Sequence, residues 1–148
     1  MDTQNILIKL QRYCSYQERC TAEVVTKLKK LGALESDINK LINDLKNSSF
    51  LDEERFAISF AESKFHQKKW GLKKISSHLF QKGISKEVID KAISSISSEE
   101  ISGTLTLLYE KKWMSLSNET DPFKRKQKTL RYLLSKGYSY DEISIYFD

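Results

Sequence analysis

The sequence predicts an all-α protein: three tandem three-helix repeats forming an elongated, curved array. Three observations predict it. Residues 50–96 read as three short amphipathic helices in a row, none apolar on every side, so each needs neighbours around one small core. A leucine–glycine signature recurs as Leu28 with Gly32, Leu79 with Gly83 and Leu133 with Gly137. Each glycine is followed by an isoleucine (Ile38, Ile89, Ile143) and then by Leu41-Ile42, Ala92-Ile93 or Tyr146-Phe147. Lys68-Lys69-Trp70 is echoed by Lys111-Lys112-Trp113. A period close to 50 residues is that of a tandem helical array, which buries its core between neighbours and offers an extended surface. The repeats are assigned to residues 1–48, 49–97 and 98–148.

In repeat one, residues 3–15 form a helix with Ile6, Leu7, Leu10 and Tyr13 inward. A second helix begins around Arg19–Glu23 and carries Val24, Val25, Leu28 and Leu31 to Gly32. Cys20 stands where a capping box would have Ser or Thr, so the cap is expected to weaken or move to Thr21. A third helix covers about 36–45 with Ile38, Leu41, Ile42 and Leu45 inward, and Asn47-Ser48-Ser49 is the linker.

In repeat two, Asp52 is the N-cap of a helix whose first turn holds Glu53 and Glu54, charges suited to the positive end of the helix dipole. Phe56, Ala57, Phe60, Ala61 and Phe65 form its apolar stripe, and Gly71 is expected to break it after Lys68. Leu72, Ile75, Leu79 and Phe80 face inward from the next helix. Ser85 caps the last, with Val88, Ile89, Ala92, Ile93 and Ile96 inward. The junction Ser94–Glu99 is expected to run nearly continuously into repeat three.

Repeat three opens with Ile101, Leu105, Leu108 and Tyr109 and has 11 more residues between tryptophan and glycine than repeat two. Asp121-Pro122 restarts a helix as N-cap and first helical residue. Thr129, Leu130, Leu133 and Leu134 lead to Gly137, and Ser139 with Glu142 makes a capping box before Ile143, Tyr146 and Phe147.

The 148 residues are 39% hydrophobic and 30% charged, as in a folded, helix-rich soluble protein. No apolar run reaches the roughly 20 residues a bilayer requires. The start MDTQNILIKLQRYC lacks a signal-peptide layout, and a cytoplasmic location is expected. Cys14 and Cys20 are read as reduced thiols. The formal charge of +5 is concentrated: seven lysines and no acid from Lys64 to Lys86, six basic residues and no acid from Lys124 to Tyr140. The first 50 residues are nearly balanced. Such blocks suit a polyanionic partner.

No catalytic, cofactor or metal site is expected. His66 and His78 have no second ligand at metal spacing, and no phosphate loop, nucleophile elbow or zinc-protease motif occurs. The run Lys68, Lys69, Lys73 and Lys74 has two readings, phosphate contact or a solvated helix face. Lys111 and Lys112 recur at the equivalent place and favour contact. The cluster Lys124, Arg125, Lys126, Lys128 and Arg131 is denser, with 124, 128 and 131 on one helix face. Trp70 and Trp113 are expected to close the bottoms of their bundles, indole N–H to a backbone carbonyl, in preference to stacking on bases. Arg55 is expected to pair with an acid on a neighbouring helix.

Four fragments together resemble the RecX family, bacterial regulators of the RecA recombinase: Arg19-x-x-x-Glu23-Val24, Leu51-Asp52-Glu53-Glu54-Arg55-Phe56-Ala57, Trp70-Gly71-x-x-x-Ile75 and Leu79-x-x-Lys82-Gly83-Ile84. Their order and spacing carry the resemblance across nearly the whole chain. It implies three tandem three-helix units and a non-enzymatic role in recombination, DNA repair and the SOS response. The implied partner is the RecA filament on single-stranded DNA, whose ATPase and strand exchange are damped. Whether single- or double-stranded DNA is also contacted directly stays open at this point; a monomeric chain with no membrane partner and no cofactor is expected. Cys20 replaces the family's usual serine, and the chain is short for the family, so tails that add contacts are expected to be missing. Two rivals stand beside this reading: a helix-turn-helix DNA-binding protein, disfavoured because no helix has an Arg/Asn/Gln-rich outer face for base readout, and a helical protein-binding adaptor without nucleic-acid contact.

Overall fold

The computed structural model describes residues 2–147. Among them are nine helices and no strand: α1 Thr3–Tyr16, α2 Thr21–Lys30, α3 Glu35–Asn47, α4 Glu53–Lys68, α5 Leu72–Gln81, α6 Lys86–Ser94, α7 Ser98–Ser115, α8 Pro122–Ser135 and α9 Tyr140–Ser144.

The repeat is a repeated turn. Gly32, Gly83 and Gly137 have φ of 82°, 83° and 102°, a conformation an L side chain strains to adopt. Each ends its helix in the same way, with the N–H of the following residue reaching back to the anchor leucine: Ala33 to the Leu28 carbonyl at 3.0 Å, Ile84 to Leu79 at 3.1 Å, Tyr138 to Leu133 at 3.3 Å. The three leucines are fully buried, each side chain contributing about 1.5–3 kcal/mol of transfer free energy. Ile38, Ile89 and Ile143 are buried as expected.

The caps follow sequence chemistry. Asp52 accepts from the Arg55 N–H at 3.0 Å, Ser85 from Val88 at 3.3 Å, Asp121 from Phe123 at 2.9 Å. Ser139 and Glu142 make a reciprocal capping box. The cap of α2 stays at Cys20, whose N–H donates to Glu23 Oε1 at 3.0 Å: the carboxylate half of the box holds the helix start in place.

The chain gathers into two compact units, one of residues up to Ser59 with Leu79–Lys91, the other of Phe60–His78 with the residues from Ala92 onward. In the first, Ile6, Leu10 and Cys14 of α1 pack with Val24 and Leu28 of α2, Ile38, Leu41, Ile42 and Leu45 of α3, and Leu51. Arg55 ties this unit: its Nε lies 2.7 Å from Glu18, and its Nη2 donates to the Ser49 carbonyl at 3.0 Å. The acid is thus on the α1–α2 loop and not on a helix. In the second unit Leu105 and Leu108 of α7 pack with Leu133 of α8, Tyr138 and Ile143.

Three expectations are corrected: Gly71 as the helix breaker, Phe80 as an inward residue and the continuous junction. Gly71 does not break α4; Lys69, at φ 59°, makes the left-handed turn. Phe80 and Leu134 are 73% and 43% exposed, because each sits one position, about 100° of helix, past its buried anchor leucine. The junction before repeat three is not continuous: Ser97 accepts from the Glu100 N–H at 3.1 Å and caps α7 as a new helix.

Candidate nucleic-acid interface

All eleven basic residues singled out by sequence lie in the second unit. The loop between α4 and α5 meets the turn between α8 and α9 backbone to backbone. Gly71 N–H donates to the Lys136 carbonyl at 2.7 Å, and Lys73 N–H to the Gly137 carbonyl at 3.2 Å. The buried Tyr138 hydroxyl donates to the Lys69 carbonyl at 3.1 Å. Lys136 Nζ donates to the Lys68 carbonyl at 2.7 Å, and Lys74 Nζ reaches the Ser135 carbonyl at 3.4 Å.

This joint brings Lys68, Lys69 and Lys74 within electrostatic reach of Lys136, the sixth basic residue of the 124–140 run. The Lys136 ammonium is held below its ordinary range by burial, then by the positive charges of Lys74, Lys69 and Lys68. The cluster therefore repels itself, and an anion placed on it relieves that repulsion.

A concavity of about 330 Å³ is lined here by Lys73, Lys74, His78 and Ser135. Ser135 also lines a neighbouring hollow of about 390 Å³ with Lys112, Lys128 and Arg131. Lys128 and Arg131 continue into a third, of about 410 Å³, with Phe123, Lys124 and Gln127. The three adjoin through shared residues, and no acid lines any of them. Helical spacing explains the alignment, since residues 124, 128, 131 and 135 fall on one stripe of α8. Phe123 is 67% exposed beside it. Lys128 also meets the half-buried Glu119 at 3.1 Å, the ammonium itself lying in solvent, where such a pair carries small energetic weight.

The remaining basic residues are placed differently. Arg125 turns inward: its guanidinium lies 3.9 Å from the Trp113 ring centre and its Nη2 donates to the Trp113 carbonyl at 2.6 Å. Lys126 lies over Phe147 at 5.3 Å, on the other side of α8. Lys111 is exposed on α7 and lines none of the three hollows. Trp70 and Trp113 are half-buried. Trp70 packs edge-on to Phe60 and against His78 at 4.5 Å, under the ammonium groups of Lys74 and Lys64. The expected bond from indole N–H to a carbonyl is found for neither tryptophan among the described residues; cations on the ring faces hold them instead.

Among the described residues, no group of three or more His, Cys, Asp or Glu is placed to hold a metal ion, and no helix is long and apolar enough to cross a membrane.

The family model for the second three-helix domain of RecX matches residues 52–93, and that for the third matches residues 99–147. Regulatory protein RecX of Clostridium botulinum (strain Eklund 17B / Type B) is 42% identical over 122 residues, which is 82% of this chain and 57% of that protein. Its counterpart in Clostridium perfringens (strain SM101 / Type A) is 36% identical over 120 residues, 80% of this chain and 56% of that one. The crystal structure of RecX from Lactobacillus salivarius has a TM-score of 0.85 at 27% identity, covering 96% of this chain and 92% of that one. The chain spans about half the length of the curated relatives it matches. With two adjoining domain models matched in order over most of its length, the chain belongs to the RecX family of regulatory proteins.

Proposed function

We propose that the chain binds the RecA filament on single-stranded DNA and damps its ATPase and strand exchange, acting in recombination and repair without catalysis of its own. The reading rests on family membership and on one observation: three adjoining hollows from Lys73 and Lys74 through Lys112 to Lys124, Lys128 and Arg131, none lined by an acid, with Glu119 the one carboxylate paired to the row among the described residues, at Lys128. A row of cations with no acid among its lining residues suits the phosphates of a nucleoprotein filament or an acidic face of RecA. Arg125 belongs to the scaffold beneath it, so the contact set is narrower than the charge runs alone suggest.

The test is binding of the chain to RecA filaments on single-stranded DNA across a salt series. Affinity should fall steeply with salt, and the triple variant K124E/K128E/R131E should bind weakly with a flattened slope. A flat response in the wild type, or unchanged binding by the triple variant, rejects the reading.

A further inference from the structure

The first unit carries a basic–aromatic groove that the proposed function does not use. Lys9, Arg12, Tyr13 and Tyr16 follow one another at positions i, i+3, i+4 and i+7 of α1, so they share one face. The adjoining face buries Ile6, Leu10 and Cys14, and Tyr13 packs at its edge. Arg19, from the loop after α1, and Lys27 of α2 complete a concavity of about 450 Å³, and no acid lines it.

The groove is built. Arg19 Nε donates to the Tyr13 carbonyl at 3.0 Å, and its guanidinium carbon lies over the Tyr13 ring, 3.7 Å from the centroid. Lys27 Nζ approaches the same ring at 5.4 Å. Tyr13 is thereby covered, while Tyr16 stands 83% exposed, with Arg19 at 5.9 Å. The acids close in sequence are engaged elsewhere: Glu18 with Arg55 at 2.7 Å, Glu23 with the Cys20 N–H at 3.0 Å and with Lys82 at 3.7 Å. Four cations, Lys9, Arg12, Arg19 and Lys27, therefore line one hollow with the exposed Tyr16 ring, and no ion pair ties any of them to a carboxylate among the described residues.

We propose that this groove binds single-stranded nucleic acid directly, its cations on the phosphates and Tyr16 stacked on a base. Charge alone would serve any polyanion. The exposed ring selects the single strand, because a duplex keeps its base faces stacked inside. The inference does not depend on the filament reading, since it needs DNA and no RecA.

The test is fluorescence anisotropy of a labelled oligothymidylate with the full chain, RecA absent, at several salt concentrations. Tyr16→Ala should weaken binding about 5- to 100-fold with an unchanged circular-dichroism melt. K9E/R12E should lower the slope of log affinity against log salt by about 1.4, two phosphates' worth for a single strand. Both losses should persist in the K124E/K128E/R131E background, which isolates the groove from the second unit's surface. Unchanged affinity in either groove variant, or equal competition by a duplex of the same length, overturns the proposal.

Discussion

Gly71 and Gly137 touch backbone to backbone: a Cβ built on Gly71 would lie 2.4 Å from the carbonyl carbon and oxygen of Gly137. Gly137 has φ 102°, and its own Cβ would lie 2.4 Å from that of Lys74. Gly32 and Gly83 share the positive φ, but a Cβ there meets nothing within 4 Å. G32A and G83A should therefore cost about 1–2 kcal/mol from the left-handed backbone alone. G71A and G137A should each cost more, because backbone must move. Urea unfolding of the four variants checks the order.

Tyr138 seals the same joint. Burial holds its phenol protonated well above the ordinary value of 10.0. An unfolded chain releases that proton near pH 10, whereas the folded chain keeps it, so the unfolded state binds fewer protons there. Its contribution is fully present below pH 10 and is lost as pH rises beyond it. Tyr138→Phe should cost about 0.5–1.5 kcal/mol at neutral pH through the lost bond to Lys69. Its stability should also fall less steeply than the wild type above pH 10. Denaturant titrations at neutral and alkaline pH read both effects.

Cys14 and Cys20 are free and buried, and burial pushes both thiols above their ordinary 9.0. Thiolate is the reactive form, so both should be inert in the native protein. Ellman's reagent should release no fast thiol signal until denaturant is added, then two equivalents.

Arg125 and Lys128 are three residues apart in α8, yet they should fail differently when mutated. Arg125→Ala removes the Trp113 stack and two bonds to its carbonyl, and should cost about 1–3 kcal/mol of stability. Lys128→Glu sits on the exposed stripe and should leave the thermal midpoint within a few degrees of wild type while weakening filament binding. Thermal melts beside binding curves separate the two.

The repeat was legible because one local device encodes it three times: a buried leucine, then a glycine at positive φ. The caps at Asp52, Ser85, Asp121 and Ser139 were legible for the same reason, as side-chain chemistry acting within four residues. Gly71 was misread because its purpose is contact with a turn far along the chain, which no local pattern records. Phe80 was read inward from hydrophobicity alone. Lys29 holds the same repeat position in the first unit and is exposed, a hint that this position faces water. At the interface, charge runs gave the basic residues but not their sorting. Arg125 is drawn inward by Trp113, and Lys136 joins the cluster through the glycine joint, both tertiary facts. The groove on α1 escaped because its cations are spaced by helical turns in a segment whose overall charge is balanced.

The most direct test of the central claim is RecA ATPase on single-stranded DNA with substoichiometric amounts of this chain. The account predicts inhibition by the wild type, lost in K124E/K128E/R131E although that variant melts like the wild type. Inhibition of equal strength by the charge-reversed protein, or no inhibition by the wild type, would contradict it.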